Sequence, residues 1–413
     1  MNIRSIAYRL SKHPALKKKL KNIYQYLGNV LSDKKSKAHN LEKISIDETE
    51  YLFGYYDKTP WNYDETFMIY LKVEDADKET APFKEANIVL MNLKTKHEKI
   101  LATTSAWNVQ QGCMLQWLGP DFDSKIIYND FFNDRYVSII LDIHTLEKKV
   151  INSPVYSVSL NGDIALTLNF PRLHRLRPGY GYSNGIGQYQ DTQNGFCIWK
   201  IDIKKNETIG ILKYEDLIQF DPKESMINAD HKVNHIMINP SGNRFMFLHR
   251  WIKNGIKRTR LLTCNIDGTD LFNLLDEDMV SHCTWKDDNT IFCWAHTYEY
   301  GNSYYYLIDK TDKINVLKND NLISDGHPSF TKDGNYFVTD TYPDFHRKQH
   351  IFIYSIKNSK AIEVAAVYSN IKYLNDCRCD LHPRWSPSGD KICFDGALDK
   401  NRQVYVINVE DLL

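Results

Sequence analysis

Four histidines of the chain share one place in a recurring pattern. His235, His282, His327 and His382 each stand three residues ahead of an anchor position, respectively Ile238, Trp285, Phe330 and Trp385. Three of them also stand seven residues before a turn glycine (Gly242, Gly334, Gly389). Imidazole is both a metal ligand and an acid or base near neutral pH. A lone histidine before a strand is ordinarily a surface or satisfied core residue; the repetition is what argues for one destination. Two uses stay open, a bound divalent cation or a histidine-lined acid/base and substrate site. The neighbours favour metal. Asp325 and Asp380 each precede a ring histidine by two residues, which strand alternation places on the same face. Cys379 and His382 form a C-x-x-H pair, and Asp340 ends a strand in VTDTYPD. Thiolate, imidazole and carboxylate together suit zinc; histidine and carboxylate without sulfur suit manganese or zinc less selectively.

A second polar cluster lies in NFPRLHRLRPGYGYSNGIGQYQD (169–191), with Arg172, His174, Arg175, Arg177, Tyr180, Tyr182 and four glycines. Arginine holds a carboxylate through paired hydrogen bonds, and tyrosine or histidine passes protons. The plain alternative is a loop that folds over its blade and stacks on itself. Arg250, Trp251, Arg258 and Arg260 follow in LHRWIKNGIKRTR (248–260), a mix suited to acidic sugars and also to an ordinary hairpin.

The elements that must position these residues recur seven times: an apolar strand, a turn built on Pro, Ser, Asp, Asn or Gly, then a second apolar strand. The anchors are Trp61, Trp117, Ser159, Ile238, Trp285, Phe330 and Trp385, mostly 42–56 residues apart, the size of a four-stranded propeller blade. One spacing, Ser159 to Ile238, is 79 residues and implies an insertion around 170–230. The last copy lacks one strand, which LEKISI (41–46) is placed to supply. The expected fold is all-β: a seven-bladed propeller over 41–413, with a basic amphipathic helical tail and linker over 1–40. In such a ring the first strand of each blade lines the central channel, so the four histidines meet there.

Residues 1–32 carry seven Lys or Arg and no acid, with apolar residues at helical spacing broken near Pro14. Such a segment either lies on an anionic membrane surface or packs on the propeller. Its charges interrupt any secretory signal, which leads to the expectation of a cytoplasmic protein, peripheral at the inner membrane face. The eight cysteines then read as reduced, several of them small hydrophobes within strands. Balanced charge, 52 basic against 52 acidic side chains, argues against a nucleic-acid partner. No run of 18 apolar residues exists to span a bilayer.

The segments HIMINPSGNRFMFLHRW, MVSHCTW, DGHPSF and DLHPRWSPSG resemble repeats of the oligogalacturonate lyases, and the GYGY loop with the Cys/His-bearing last blade is similar to ulvan lyases of the same fold. The resemblance implies an acidic oligo- or polysaccharide as partner, β-elimination at a uronate, and a divalent metal, zinc or manganese. It makes His235 a candidate base and His282 and His327 candidate manganese ligands. Ahead of His327, Asp325 and Leu322 stand where that family has further His and Gln ligands. The ulvan-lyase likeness would instead gather His327, Asp340, Cys379 and His382 around zinc. Arg172 or Arg250 is the expected neutraliser of the substrate carboxylate, with His235, His174 or Tyr182 as proton carriers and Tyr180, Arg175 and Trp251 as substrate contacts. The alternatives are a membrane-associated protein of capsule or exopolysaccharide biosynthesis, either glycosyltransferase or glycan binder, and a non-catalytic scaffold.

Overall fold

Four of the seven turns are built alike. In the computed structural model, which describes residues 14–185 and 195–413, Gly162, Gly242, Gly334 and Gly389 close tight turns at φ between 69° and 80°. Their N–H groups donate to the carbonyls of Ser159, Asn239, Thr331 and Ser386 at 2.9–3.0 Å. That left-handed backbone costs glycine little and other residues more. Each turn joins the first two strands of an antiparallel blade.

Blades one to five have four strands each, with second strands Phe67–Val73, Lys125–Phe132, Ile164–Leu168, Arg244–Lys253 and Thr290–Thr297. Blades six and seven borrow from the N-terminus. Leu41–Lys43 pairs with Gln403–Asn408, Leu41 opposite Ile407, and completes the last blade. Lys37–Ala38 adds an edge strand to Lys360–Tyr368. The stretch read as a linker is thus partly strand, because its backbone finds a free sheet edge there. Blade faces pack against neighbouring blades, so inner strands are buried on both sides. This explains why the strand Arg244–Lys253 is buried residue after residue over its first eight positions instead of alternately.

The tryptophan anchors tie consecutive blades. The indole N–H of Trp117 donates to Pro60 O (2.8 Å), that of Trp285 to Met237 O (2.9 Å) and that of Trp385 to Ser329 O (3.0 Å), each acceptor lying in the preceding repeat. Seven of the eight cysteines are buried.

Helix α1 (Pro14–Leu31) packs on the propeller beside blade six. Gln25 accepts from the buried Arg347 guanidinium, Asn29 from the Tyr368 hydroxyl, and Gly28 lies so close to the Phe345 carbonyl that no Cβ fits. The long spacing in blade three has two causes. Helix α2 (Phe170–Leu176) and its loop interrupt the blade before its outer strands Phe196–Asp202 and Glu207–Lys213, and α3 (Tyr214–Gln219) follows them.

Candidate functional site

Backbone irregularities aim the ring histidines. A bulge between Asn234 and Met237 carries His235 at φ 54°, and another between Val280 and Cys283 carries His282. His382 sits at φ 47°. Such conformations are unfavourable for a residue with a Cβ and cluster at functional positions. The four imidazoles come together in series, with ring centroids 5.5 Å apart for His235–His282, 4.1 Å for His282–His327 and 4.3 Å for His327–His382. All four are buried.

The hydrogen bonds fix which nitrogen of three rings faces inward. His382 Nδ1–H donates to Gly54 O (2.8 Å), His327 Nδ1–H to Asp340 (2.8 Å) and His282 Nδ1–H to Asp325 (3.0 Å). Each neutral ring therefore keeps its lone pair on Nε2. The Nε2 atoms of His327 and His382 and Oδ2 of Asp380 are buried with no partner. One ligand atom from each of these three residues lies within 4.8 Å of the others. Orphaned acceptors at this depth are costly, and a divalent cation satisfies all three at once. The backing carboxylates and carbonyl are the usual outer partners of metal-bound histidine. Two imidazoles and a carboxylate fit manganese or zinc.

Electrostatics agree. Burial opposes a cation on His327, yet the carboxylates of Asp340, Asp380 and Asp325 outweigh it and raise its pKa. Burial, with lesser repulsion from His327, depresses the pKa of His382 well below the usual range. Burial takes His282 down to about 4 despite Asp325.

A cavity of about 420 Å³ reaches the ring at His282 and is lined by Lys21, Arg177, Arg250, His282, Asp325 and Arg378 among others. Arg378 is committed to Asp380 (2.7 Å). Arg250 is 3% exposed and leaves Nε and Nη1 without partners. A buried guanidinium with open donors is a seat for a carboxylate or another anion. His235 lies deeper. Its Nε2 meets the Tyr55 hydroxyl, its Nδ1 is unpartnered, and burial followed by Arg250 keeps its pKa far below the ordinary value.

The other expected residues go elsewhere. Asp340 and Asp325 stand behind the histidines, on their Nδ1 side, and not in the three-residue ligand cluster. Cys379 is buried in the apolar packing of blades one, two and seven, and burial pushes its thiol up to about 12. Arg172 donates to His231 O at 2.7 and 2.8 Å and covers the Tyr214 ring. His174 pairs with Glu79 (3.1 Å) beside a separate small cleft. Tyr182 stacks on Phe170, centroids 4.3 Å apart, and accepts from Asn129. Trp251 packs on Met226 and Ala229, and Arg175 faces Asp230 at 3.6 Å. Tyr180 does approach the channel: its ring is 6.2 Å from Tyr55, under Arg177, and its hydroxyl is unpartnered. Residues 186–191 of the glycine-rich segment lie outside those described. The sequence reading passed over Tyr55 and Tyr56, which pack against the histidines with centroids 5.0 Å from His382 and 5.3 Å from His327. Their signal is the Gly-Tyr-Tyr-Asp step just ahead of the first repeat, in a blade without a ring histidine.

Blade four holds a second buried histidine group. Arg260 Nε–H donates to His249 Nδ1 (3.2 Å), His249 Nε2–H to His231 Nδ1 (2.9 Å), and His231 Nε2–H to Met226 O (2.9 Å).

Among solved structures, an oligogalacturonate lyase in complex with manganese superposes with TM-score 0.68 at 16% identity, over 91% of this chain and 96% of that one. An oligogalacturonate lyase of Vibrio parahaemolyticus gives 0.63 at 13% identity, over 91% and 98%. Kuenenia stuttgartiensis hydrazine synthase gives 0.51 at 11%, over 87% and 96%. What is shared is the fold. No family model and no curated protein matches the chain.

Proposed function

We propose that the protein acts on an acidic oligosaccharide and cleaves it by β-elimination at a uronate. The observation that carries this reading is the neighbourhood of two features: an open, buried Arg250 guanidinium in a cationic cavity, and, behind the His282 that lines the same cavity, three orphaned ligand atoms on His327, His382 and Asp380. The likeness of fold to oligogalacturonate lyases supports the same reaction class.

Arg250 binds the uronate carboxylate and withdraws its charge, which acidifies the proton on the adjacent carbon. His235 is the base. With Nε2–H donating to Tyr55, its Nδ1 lone pair is open, and burial keeps the ring neutral at physiological pH. The proton passes to Nδ1, the electron pair forms a carbon–carbon double bond, and the glycosidic C–O bond breaks. A hydroxyl, Tyr180 being the unpartnered one nearby, donates to the leaving oxygen. His327, His382 and Asp380 would hold a manganese or zinc ion, with His282 beside them. When bound, such an ion lends charge stabilisation to a substrate carboxylate.

A second reading, acidic-glycan binding without cleavage in polysaccharide assembly, is favoured by one observation: α1 forms a wall of the cavity. One experiment separates the two. Oligogalacturonate and other polyuronates are incubated with the manganese- or zinc-loaded protein while ultraviolet absorbance is followed. Elimination creates a conjugated double bond and absorbance rises. Saturable binding with flat absorbance sinks the lyase reading and leaves the binding one; no binding of any polyuronate sinks both.

A further inference from the structure

Helix α1 is mounted the wrong way round for a helix that serves only to cover a core. Its polar side faces the protein. Asn22 and Gln25 line the cavity together with Lys21, Gln25 and Gly28 are buried, and Asn29 bonds to Tyr368. These positions recur every three or four residues and form one face. The opposite face carries Leu20, Ile23, Leu27, Val30 and Leu31, which are 45%, 47%, 58%, 79% and 65% exposed. Isolated exposed apolar residues are ordinary, but a stripe of them along one helix marks an interaction surface. The docking is specific and not a loose contact. The Arg347–Gln25 and Tyr368–Asn29 bonds and the tight Gly28–Phe345 approach fix the helix rotation.

We propose that this outer face seats the protein on an anionic membrane surface, as a helix lying in the headgroup plane. The charge of the segment selects that occupant. The first thirty-two residues carry seven Lys or Arg and no Asp or Glu. Apolar burial combined with cationic side chains is what an interfacial helix needs on acidic lipid, each basic residue near the surface adding attraction that salt screens. A second copy of the chain would bring the same positive segment against itself. The geometry adds a consequence. The inner face of α1 lines the cavity, and a helix with its side chains is about 10–12 Å across. The lipid surface therefore lies within one helix diameter of the cavity wall, and ligand reaches the site beside the headgroups. The proposal stands independently of the reaction at the site.

The test is sedimentation of the full chain with vesicles of phosphatidylglycerol and phosphatidylcholine in equal parts, beside vesicles of phosphatidylcholine alone. The expected result is co-sedimentation with the acidic vesicles only, weakening as salt rises. The triple variant Ile23→Ser, Leu27→Ser, Val30→Ser should bind at least tenfold more weakly, with the propeller still folded and its metal content unchanged because those side chains lie on the exposed face of the helix. A full chain that stays in the supernatant overturns the proposal, as does a triple variant that binds like the parent. Analytical ultracentrifugation supplies the remaining outcome. A dimer that the triple variant converts to monomer would make this face an interface between copies and refute the lipid assignment.

Discussion

Two histidine groups lie buried in the same propeller, and their nitrogens are disposed in opposite ways. In blade four the Arg260–His249–His231–Met226 chain uses every ring nitrogen, ending on a carbonyl. In the channel, His235, His327 and His382 each keep one nitrogen buried and unmatched, beside a carboxylate oxygen in the same condition. Burial and residue type are alike in the two places. What separates them is satisfaction: a closed chain contributes to the fold, whereas an open one holds free energy that a ligand can release.

That contrast is most exposed to failure at the cluster itself. His382→Ala should lower manganese or zinc affinity by about a hundredfold, the scale on which altered metal sites lose affinity, and abolish turnover of polyuronates. It should cost the metal-free fold under about 1 kcal/mol, since the Gly54 carbonyl still accepts from Arg384. Metal analysis after dialysis and thermal melts check both halves. An unchanged metal content would place His382 with the structural histidines.

Arg250→Met should weaken binding of a galacturonate oligomer by roughly a hundredfold in calorimetry, the loss expected for a desolvated charge-assisted pair. The fold should gain about 1 kcal/mol, because an unpaired cation leaves the interior. His249→Ala should behave in the opposite sense. It strands the buried Arg260 donor and His231, and should destabilise the protein by about 2–3 kcal/mol while metal content and oligomer binding in the folded fraction stay intact. If the two variants lose ligand binding alike, the division between open and closed histidines is not the one that matters.

Lys232 sharpens the comparison through pH. It is buried opposite Arg250, and burial, then the charges of Arg177 and Arg250, bring its pKa from 10.5 down to about 6. The unfolded chain binds the proton more tightly, so this residue contributes stability that rises with pH from about 6 to 10.5 and is lost as pH falls through that range. Lys232→Met should remove that slope from the melting temperature and stabilise the protein at neutral pH by about 1–3 kcal/mol. The smallest effect belongs to Tyr182→Phe. It forfeits the Asn129 bond and should cost about 1 kcal/mol, with kcat for polyuronate cleavage unaltered.

The parts of this molecule legible in its sequence are those set by local periodicity. Strand–turn–strand copies announce themselves because the glycine turn and apolar runs are contiguous, and the strand missing from the last copy pointed to residues 41–46. The register of His235, His282, His327 and His382 was visible for the same reason. The sides of the rings were not. Whether a carboxylate backs Nδ1, as Asp340 and Asp325 do, or shares the space at Nε2, as Asp380 does, depends on bulges set by tertiary packing. The loop holding Tyr182 advertised reactive side chains that prove to be spent on Phe170 and Asn129. In α1 the two faces were readable, but which one the protein covers turned on Arg347 and Tyr368, more than three hundred residues away.

Ring closure by Leu41–Lys43 also sets a timetable. Its partner strand Gln403–Asn408 lies about 360 residues later in the chain, so at roughly 5–20 residues per second the early strand waits about 20–70 s for a mate during synthesis. Leu41, Glu42 and Lys43 are exposed even in the finished sheet, which suits a segment that must spend that interval in water without seeking other edges. Lys37–Ala38 and α1 find their partners one blade earlier, on Lys360–Tyr368 and at Phe345 and Arg347. The cavity wall that α1 supplies therefore waits for blade six, and a nascent chain that has already made His235, His282 and His327 still has no finished cavity.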